Sequence, residues 1–147
     1  MKSLIIYSST HHGNTKKIAA VIAETLGADL LQTDEVKSNL LKQYDLIGFG
    51  SGIFNGKHHA KLYQTIEKAK IKGKSVFVFS TSGTGNNKYN KSLIDHLTSN
   101  GALVKNSFSC KGFDTYGIFK WIGGIAKGHP DSKDIESARN FAKALLN

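Results

Sequence analysis

The sequence predicts an α/β fold, a three-layer sandwich in which a five-stranded parallel sheet of order 2-1-3-4-5 carries helices on both faces. Three observations predict it. Apolar or β-branched runs at Leu4 to Tyr7, Leu46 to Phe49 and Val76 to Phe79 are continuous, short and bounded by polar residues or glycine, the pattern of strands buried on both faces of a parallel sheet. Stretches with helical spacing of apolar residues separate these runs. Strand and helix alternate along the chain, and parallel neighbours need right-handed crossovers that lay the helices on the two faces.

The first strand, at Leu4 to Tyr7, leads through the polar stretch Ser9 to Thr15 into a helix on which Ile18, Ile22 and Leu26 recur every four residues. A weaker strand signal follows at Ala28 to Gln32. After the third strand, Leu62, Ile66 and Ala69 mark the second helix, and after the fourth, Leu93 and Leu97 mark the third. The fifth strand is expected around Val104 to Cys110. Between Gly112 and Gly128 runs a long irregular stretch carrying Phe113, Tyr116, Phe119 and Trp121; such a loop is usually functional or holds a short helix of its own. The last helix places Ile135, Ala138, Phe141, Ala142 and Leu145 on one face, with Asp131 or Ser132 as its cap directly after Pro130.

A chain of 147 residues fits one domain over positions 1–147, enough to bury roughly two thirds of the surface its unfolded form exposes. The 20 basic residues outnumber the 11 acidic ones to give a formal charge of +9, which attracts anions or acidic proteins and loses that attraction in salt. Arg139 is the only arginine. Base readout and bidentate phosphate clamps favour arginine, so dedicated nucleic-acid recognition is disfavoured. Cys110 is the only cysteine, which rules out an intramolecular disulfide and suits a reducing cytoplasm. No apolar run reaches membrane-spanning length.

In an open parallel sheet, ligands bind beyond the carboxyl ends of the strands, and the unusual residues of this chain fall there. The first loop reads Ser9-Thr10-His11-His12-Gly13-Asn14-Thr15, and the third strand runs into Gly50-Ser51-Gly52-Ile53-Phe54-Asn55-Gly56-Lys57-His58-His59. Ser80-Thr81-Ser82-Gly83-Thr84-Gly85 follows the fourth strand. In the first loop, backbone N–H groups near a helix start and the hydroxyls of Ser9, Thr10 and Thr15 suit a phosphate dianion; the alternative is that Asn14 or Thr15 only caps the helix.

Other phosphate sites fail on missing residues. Gly13 is followed by Asn14 rather than lysine, and G-x-G-x-x-G occurs nowhere, against a Walker loop and a dinucleotide domain. A tyrosine phosphatase needs a cysteine near the first strand, and a receiver domain needs an aspartate after the third. His11-His12 and His58-His59 have no carboxylate or thiolate in their loops, so no metal site is expected. Cys110 reads as a small buried hydrophobe. Phe54, Tyr89, Phe113, Tyr116 and Trp121 each suit the core alone, but one from the third-strand loop with another from a later loop makes a pair able to sandwich a flat group. A phosphate at one end and a planar ring at the other describe flavin mononucleotide (FMN).

On these residues the chain resembles the flavodoxin family along nearly its whole length. Tyr7, Ser9, Gly13, Thr15 and Ala19 match the family's phosphate loop in order, with one residue more and the His11-His12 pair as departures. Tyr44 to Ser51 is similar to its third strand and flavin loop, Val76 to Gly83 to its fourth strand, and Lys127 to Asp131 with Asp134, Ala138 and Phe141 to its closing helix.

The resemblance implies an electron-transfer protein that binds FMN non-covalently and cycles it between oxidised, semiquinone and hydroquinone states, with no catalytic residue of its own. It implies Ser9, Thr10, His11, His12, Gly13, Asn14 and Thr15 at the phosphate, and Ser51, Gly52, Ile53, Phe54, Asn55 and Gly56 in the flavin loop. Thr81, Ser82, Gly83 and Tyr116 complete the cofactor contacts. Asn55-Gly56 is the expected peptide that flips on reduction, since glycine tolerates positive φ. Many electron-carrying members are acidic, so this basic chain is expected to meet redox partners with an acidic docking surface, in the cytoplasm and without membrane or specific nucleic acid. The alternative is an FMN-dependent oxidoreductase acting directly on a small acceptor such as a quinone or porphyrin-like molecule.

Overall fold

Runs of Leu, Ile, Val and Phe build the centre of this molecule, and serines, threonines and glycines mark where each run stops. The computed structural model describes residues 1–9, 13–113 and 123–147. Among them the strands are β1 (Ser3–Ser8), β2 (Asp29–Gln32), β3 (Leu46–Phe54), β4 (Lys57–His58), β5 (Ser75–Ser82) and β6 (Leu103–Lys111). The helices are α1 (Asn14–Leu26), α2 (Ala60–Lys68), α3 (Lys91–Ser99) and α4 (Ser132–Leu145). The sheet order is β2-β1-β3-β5-β6 with every neighbour parallel, which is the expected 2-1-3-4-5 order of five parallel strands. The structure adds β4, a two-residue strand antiparallel to the end of β3.

Alternation along the strands divides the interior into two cores. Leu4, Ile6, Ile47, Phe49, Val76 and Val78 face one side, where Leu62 and Ile66 of α2 and Leu93 and Leu97 of α3 cover them. Ile5, Tyr7, Phe77 and Phe79 face the other, under Ile18 and Ile22 of α1 and Ala138 and Ala142 of α4. On this second face β3 contributes Leu46 and then only glycine, at positions 48, 50 and 52. Gly48 pairs with Phe77 and Gly50 with Phe79, and a Cβ would come within 2.2 Å of the first ring or 2.3 Å of the second. The absent side chains are therefore the space the two rings occupy.

Local chemistry fixes the helix ends. Gly27 closes α1 with φ 64°, the left-handed turn that glycine takes without a Cβ penalty. Asp131 caps α4, accepting from the Asp134 N–H at 3.0 Å while Asp134 accepts from the Asp131 N–H at 2.8 Å, so the predicted cap is a reciprocal box with carboxylates at the positive end of the helix. Among the described residues, no helix is long and apolar enough to cross a membrane.

Candidate functional site

Parallel strands end on one side of the sheet, so the carboxyl ends of β1, β3, β5 and β6 share a single rim. Gly13 opens α1 with φ 65° and, having no side chain, gives the first N–H groups of the helix no side-chain acceptor. Among the described residues no side chain caps the positive end of α1, an arrangement that suits an anion. Ser9, one residue beyond β1, has a buried hydroxyl with no hydrogen-bond partner among the described residues. A buried polar group left in this state costs about 1–3 kcal/mol, a penalty that a ligand oxygen placed there would remove.

The neighbouring polar residues are engaged within the protein. Thr15 is 3% exposed, and its hydroxyl lies 2.9 Å from that of Thr81 on β5. Asn14 donates from Nδ2 to the Phe113 carbonyl at 2.8 Å, tying the start of α1 to the chain after β6. Gly112 must be small for this tie, since a Cβ there would meet the Asn14 amide at 2.7 Å. Thr10, His11, His12 and Tyr116 lie outside the described residues, as do Phe119 and Trp121.

The predicted flavin loop is a hairpin. Phe54 pairs with Lys57 and Ile53 with His58, leaving Asn55 and Gly56 as the two turn residues with φ 50° and 79°, the pattern of a type I′ turn. Asn55 and Gly56 are exposed, while Gly52, Ile53 and Phe54 are half-buried. The Phe54 ring meets the His59 ring edge-on, with centroids 5.4 Å apart. Ser51 is fully buried; its Oγ accepts from the His59 N–H at 3.0 Å and lies 2.8 Å from His58 Nδ1. On its other side His58 Nε2 lies 2.6 Å from Asn90 Oδ1. Burial pushes the His58 pKa down to about 4, against a smaller upward pull from Asn90, so this imidazole is neutral near pH 7. His59 is also lowered, first by burial and then by Lys61, and it caps α2 by accepting from the Lys61 N–H at 3.1 Å.

The loop after β5 is likewise tied down: Ser82 Oγ accepts from the Gly85 N–H at 2.9 Å, and the Gly85 carbonyl accepts from Ser109 Oγ at 2.7 Å. Gly83 is buried between these bonds. Cys110 is 6% exposed, and burial, then the Asp134 and Asp131 carboxylates, push its thiol up to about 12. It is a neutral core residue, not a nucleophile. Among the described residues, His129, Asp131 and Asp134 form the one group of potential metal ligands, and His129 Nδ1 lies 2.6 Å from Asp134 Oδ2 within the α4 cap.

Sequence reasoning named the rim loops but missed β4, His58 as a buried member of the site, and Asn90. The Asn55-Gly56 dipeptide was a readable hairpin signal. Nothing local pointed to Asn90, which meets His58 across 32 positions.

The donor set fits a phosphate monoester with a flat ring beside it. The unpaired Ser9 hydroxyl and the uncapped α1 amides suit the phosphate, and the exposed hairpin tip at Asn55 and Gly56 suits the edge of a ring. A family model described as a flavodoxin domain matches residues 4–113, well over half of the chain. An uncharacterised protein of Methanocaldococcus jannaschii is 47% identical over 148 residues, spanning 99% of both chains. Oxidised flavodoxin 2 from Bacillus cereus superposes with a TM-score of 0.74 at 24% identity, over 99% of this chain and 98% of that one. A flavodoxin from the domain Archaea gives 0.70 at 19% identity, over 99% and 96%. These two structures bear on the fold, and the family match bears on membership.

Proposed function

Because this chain belongs to the flavodoxin domain family, we propose that it binds FMN non-covalently on the carboxyl rim of its sheet and carries electrons singly between redox partners. The observation that carries this reading is the buried Ser9 hydroxyl without a partner, one residue past β1 and just before the helix opened by Gly13. When bound, the flavin supplies the redox chemistry. The protein holds the phosphate through Ser9 and the amides at the start of α1, and it presents the Asn55-Gly56 turn to the ring. Thr15, Thr81, Ser82 and Asn14 fix the walls of the site through the bonds they make to one another and to the chain after β6.

The partner in this reading is acidic. Lys16 and Lys17 lie in the first turn of α1 and Lys61 in that of α2, Lys91 starts α3, and none of these turns contains an acidic residue. Cations at helix N-termini oppose the helix dipole by a few tenths of a kcal/mol each; Lys91 is offset by its ion pair with Asp95 at 2.7 Å, and Lys16 and Lys17 are exposed and available to an acidic partner. Lys57 and Lys88 extend the exposed basic rim.

The test is a titration of the purified protein with FMN under anaerobic reduction. Quenching of flavin fluorescence on binding, followed by uptake of electrons in resolved one-electron steps, is the expected result; no quenching defeats the reading. Turnover of NADPH with a quinone, without any protein partner, would instead make the protein a flavin oxidoreductase.

A further inference from the structure

The core under α2 and α3 ends in a row of serines. Ser8 pairs with Ser51, Ser51 with Ser80, and Ser80 with Ser109, across four adjacent strands. Ser8, Ser51 and Ser80 are buried, and each follows an apolar residue two positions back on the same face: Ile6, Phe49 and Val78. Over this row lie His58 and Asn90, 3% and 0% exposed. Among the described residues Ser80 Oγ has no hydrogen-bond partner, so the bonds of this layer run through Ser51, His58 and Asn90.

The bonds assign the histidine tautomer. Asn90 Nδ2 donates to the Phe108 carbonyl at 3.0 Å and to Asn87 Oδ1 at 2.6 Å, so Asn90 turns its Oδ1 to His58. His58 Nε2 therefore carries the proton and donates it, leaving Nδ1 to accept from the Ser51 hydroxyl. That hydroxyl has one proton, with the Gly52 carbonyl 2.7 Å away as its other acceptor. Ser51 is then free to accept from the His59 N–H. The chain of bonds starts at the two ends of the hairpin, Ser51 and His59, and finishes on β6 at Phe108. It encloses Asn55 and Gly56, both of which hold positive φ.

We propose that His58 is the positioning residue of the flavin loop: its neutral imidazole clamps both ends of the hairpin to Asn90 and so fixes the peptide that faces the flavin ring. The proposal rests on the FMN reading for what the loop faces. His58 itself is buried and touches no ligand; it acts through Ser51 and His59.

The experiment compares wild type, His58→Phe and His58→Asn by amide hydrogen exchange without flavin and by affinity for FMN and riboflavin. Phe keeps a ring of similar size and removes both polar nitrogens, whereas the Asn carboxamide oxygen returns an acceptor to Ser51. In His58→Phe the amides of residues 52–59 exchange at least about tenfold faster, those of β1 and β2 keep their rates, and FMN and riboflavin weaken by the same factor. His58→Asn recovers part of both effects. A lesion at the phosphate end would weaken FMN alone.

A folded His58→Phe protein with wild-type exchange in 52–59 and wild-type riboflavin affinity overturns the proposal. If His58→Phe does not fold, the wild-type imidazole decides: nitrogen NMR showing a proton on Nε2 at neutral pH supports the clamp, and one on Nδ1 overturns it. A wild type that binds neither flavin removes the FMN reading, while exchange in the variants still decides whether His58 tethers the loop.

Discussion

The ends of β1 and β3 stand side by side on the rim, and the described residues beyond them use their hydroxyls in opposite ways. After β1, Ser9 keeps a buried hydroxyl unpaired and Gly13 leaves the start of α1 uncapped. After β3, Ser51 is engaged by His58 and His59, and His58 by Asn90. The first loop has hydrogen-bonding capacity to offer a ligand rich in acceptors, and the second has almost none left but holds its shape. A phosphate demands donors; a flat ring demands a surface in a fixed place. In the proposed reading the two loops divide FMN between them along that line.

If the β3 loop is held by a neutral His58, stability must respond to acid. Its pKa is about 4 when folded against 6.5 ordinarily, so between these values the unfolded chain binds the proton and the folded one does not. Stability from this group is therefore complete above about pH 6.5 and declines as the pH falls toward 4, by up to about 3 kcal/mol. Urea unfolding of wild type against His58→Phe across pH 4 to 7 isolates this slope; equal slopes would break the contrast. Next in size, Ser51→Ala strands His58 Nδ1 and the His59 N–H in the interior and lowers stability by about 2 kcal/mol without any ligand. Ser9→Ala gives the reverse. It removes an unpaired buried group, so urea unfolding shows the flavin-free protein more stable than wild type, by about 1 kcal/mol or more. FMN affinity falls about tenfold, because a hydrogen bond to a charged oxygen is worth about 1.5 kcal/mol. A Ser9→Ala protein that loses stability instead would mean that Ser9 is structural, like Ser51.

The parallel strands and all four helices were legible because each depends on local pattern: Leu4 to Tyr7 must be buried on both faces, and Asp131 follows Pro130 at the start of an amphipathic run. The polar break after β1 was legible because glycine and hydroxyls cluster between Ser9 and Thr15. What escaped depends on register. Gly48 and Gly50 look like flexible residues until Phe77 and Phe79 are placed opposite them. The Asn14 side chain reaches the Phe113 carbonyl, a contact across 99 positions that no local pattern announces. His58 and His59 read as an equivalent pair, yet one lies at the centre of a buried chain and the other caps α2, because successive residues leaving a strand point to opposite sides.

The central claim, that the β1 loop is a phosphate cradle, meets its most direct test in the ratio of riboflavin to FMN dissociation constants measured by fluorescence quenching. The two ligands share the ring and differ in the phosphate. The account predicts that wild type binds FMN at least about a hundredfold more tightly and that Ser9→Ala narrows the ratio by lowering FMN affinity alone. Equal affinities for the two ligands in wild type would contradict it.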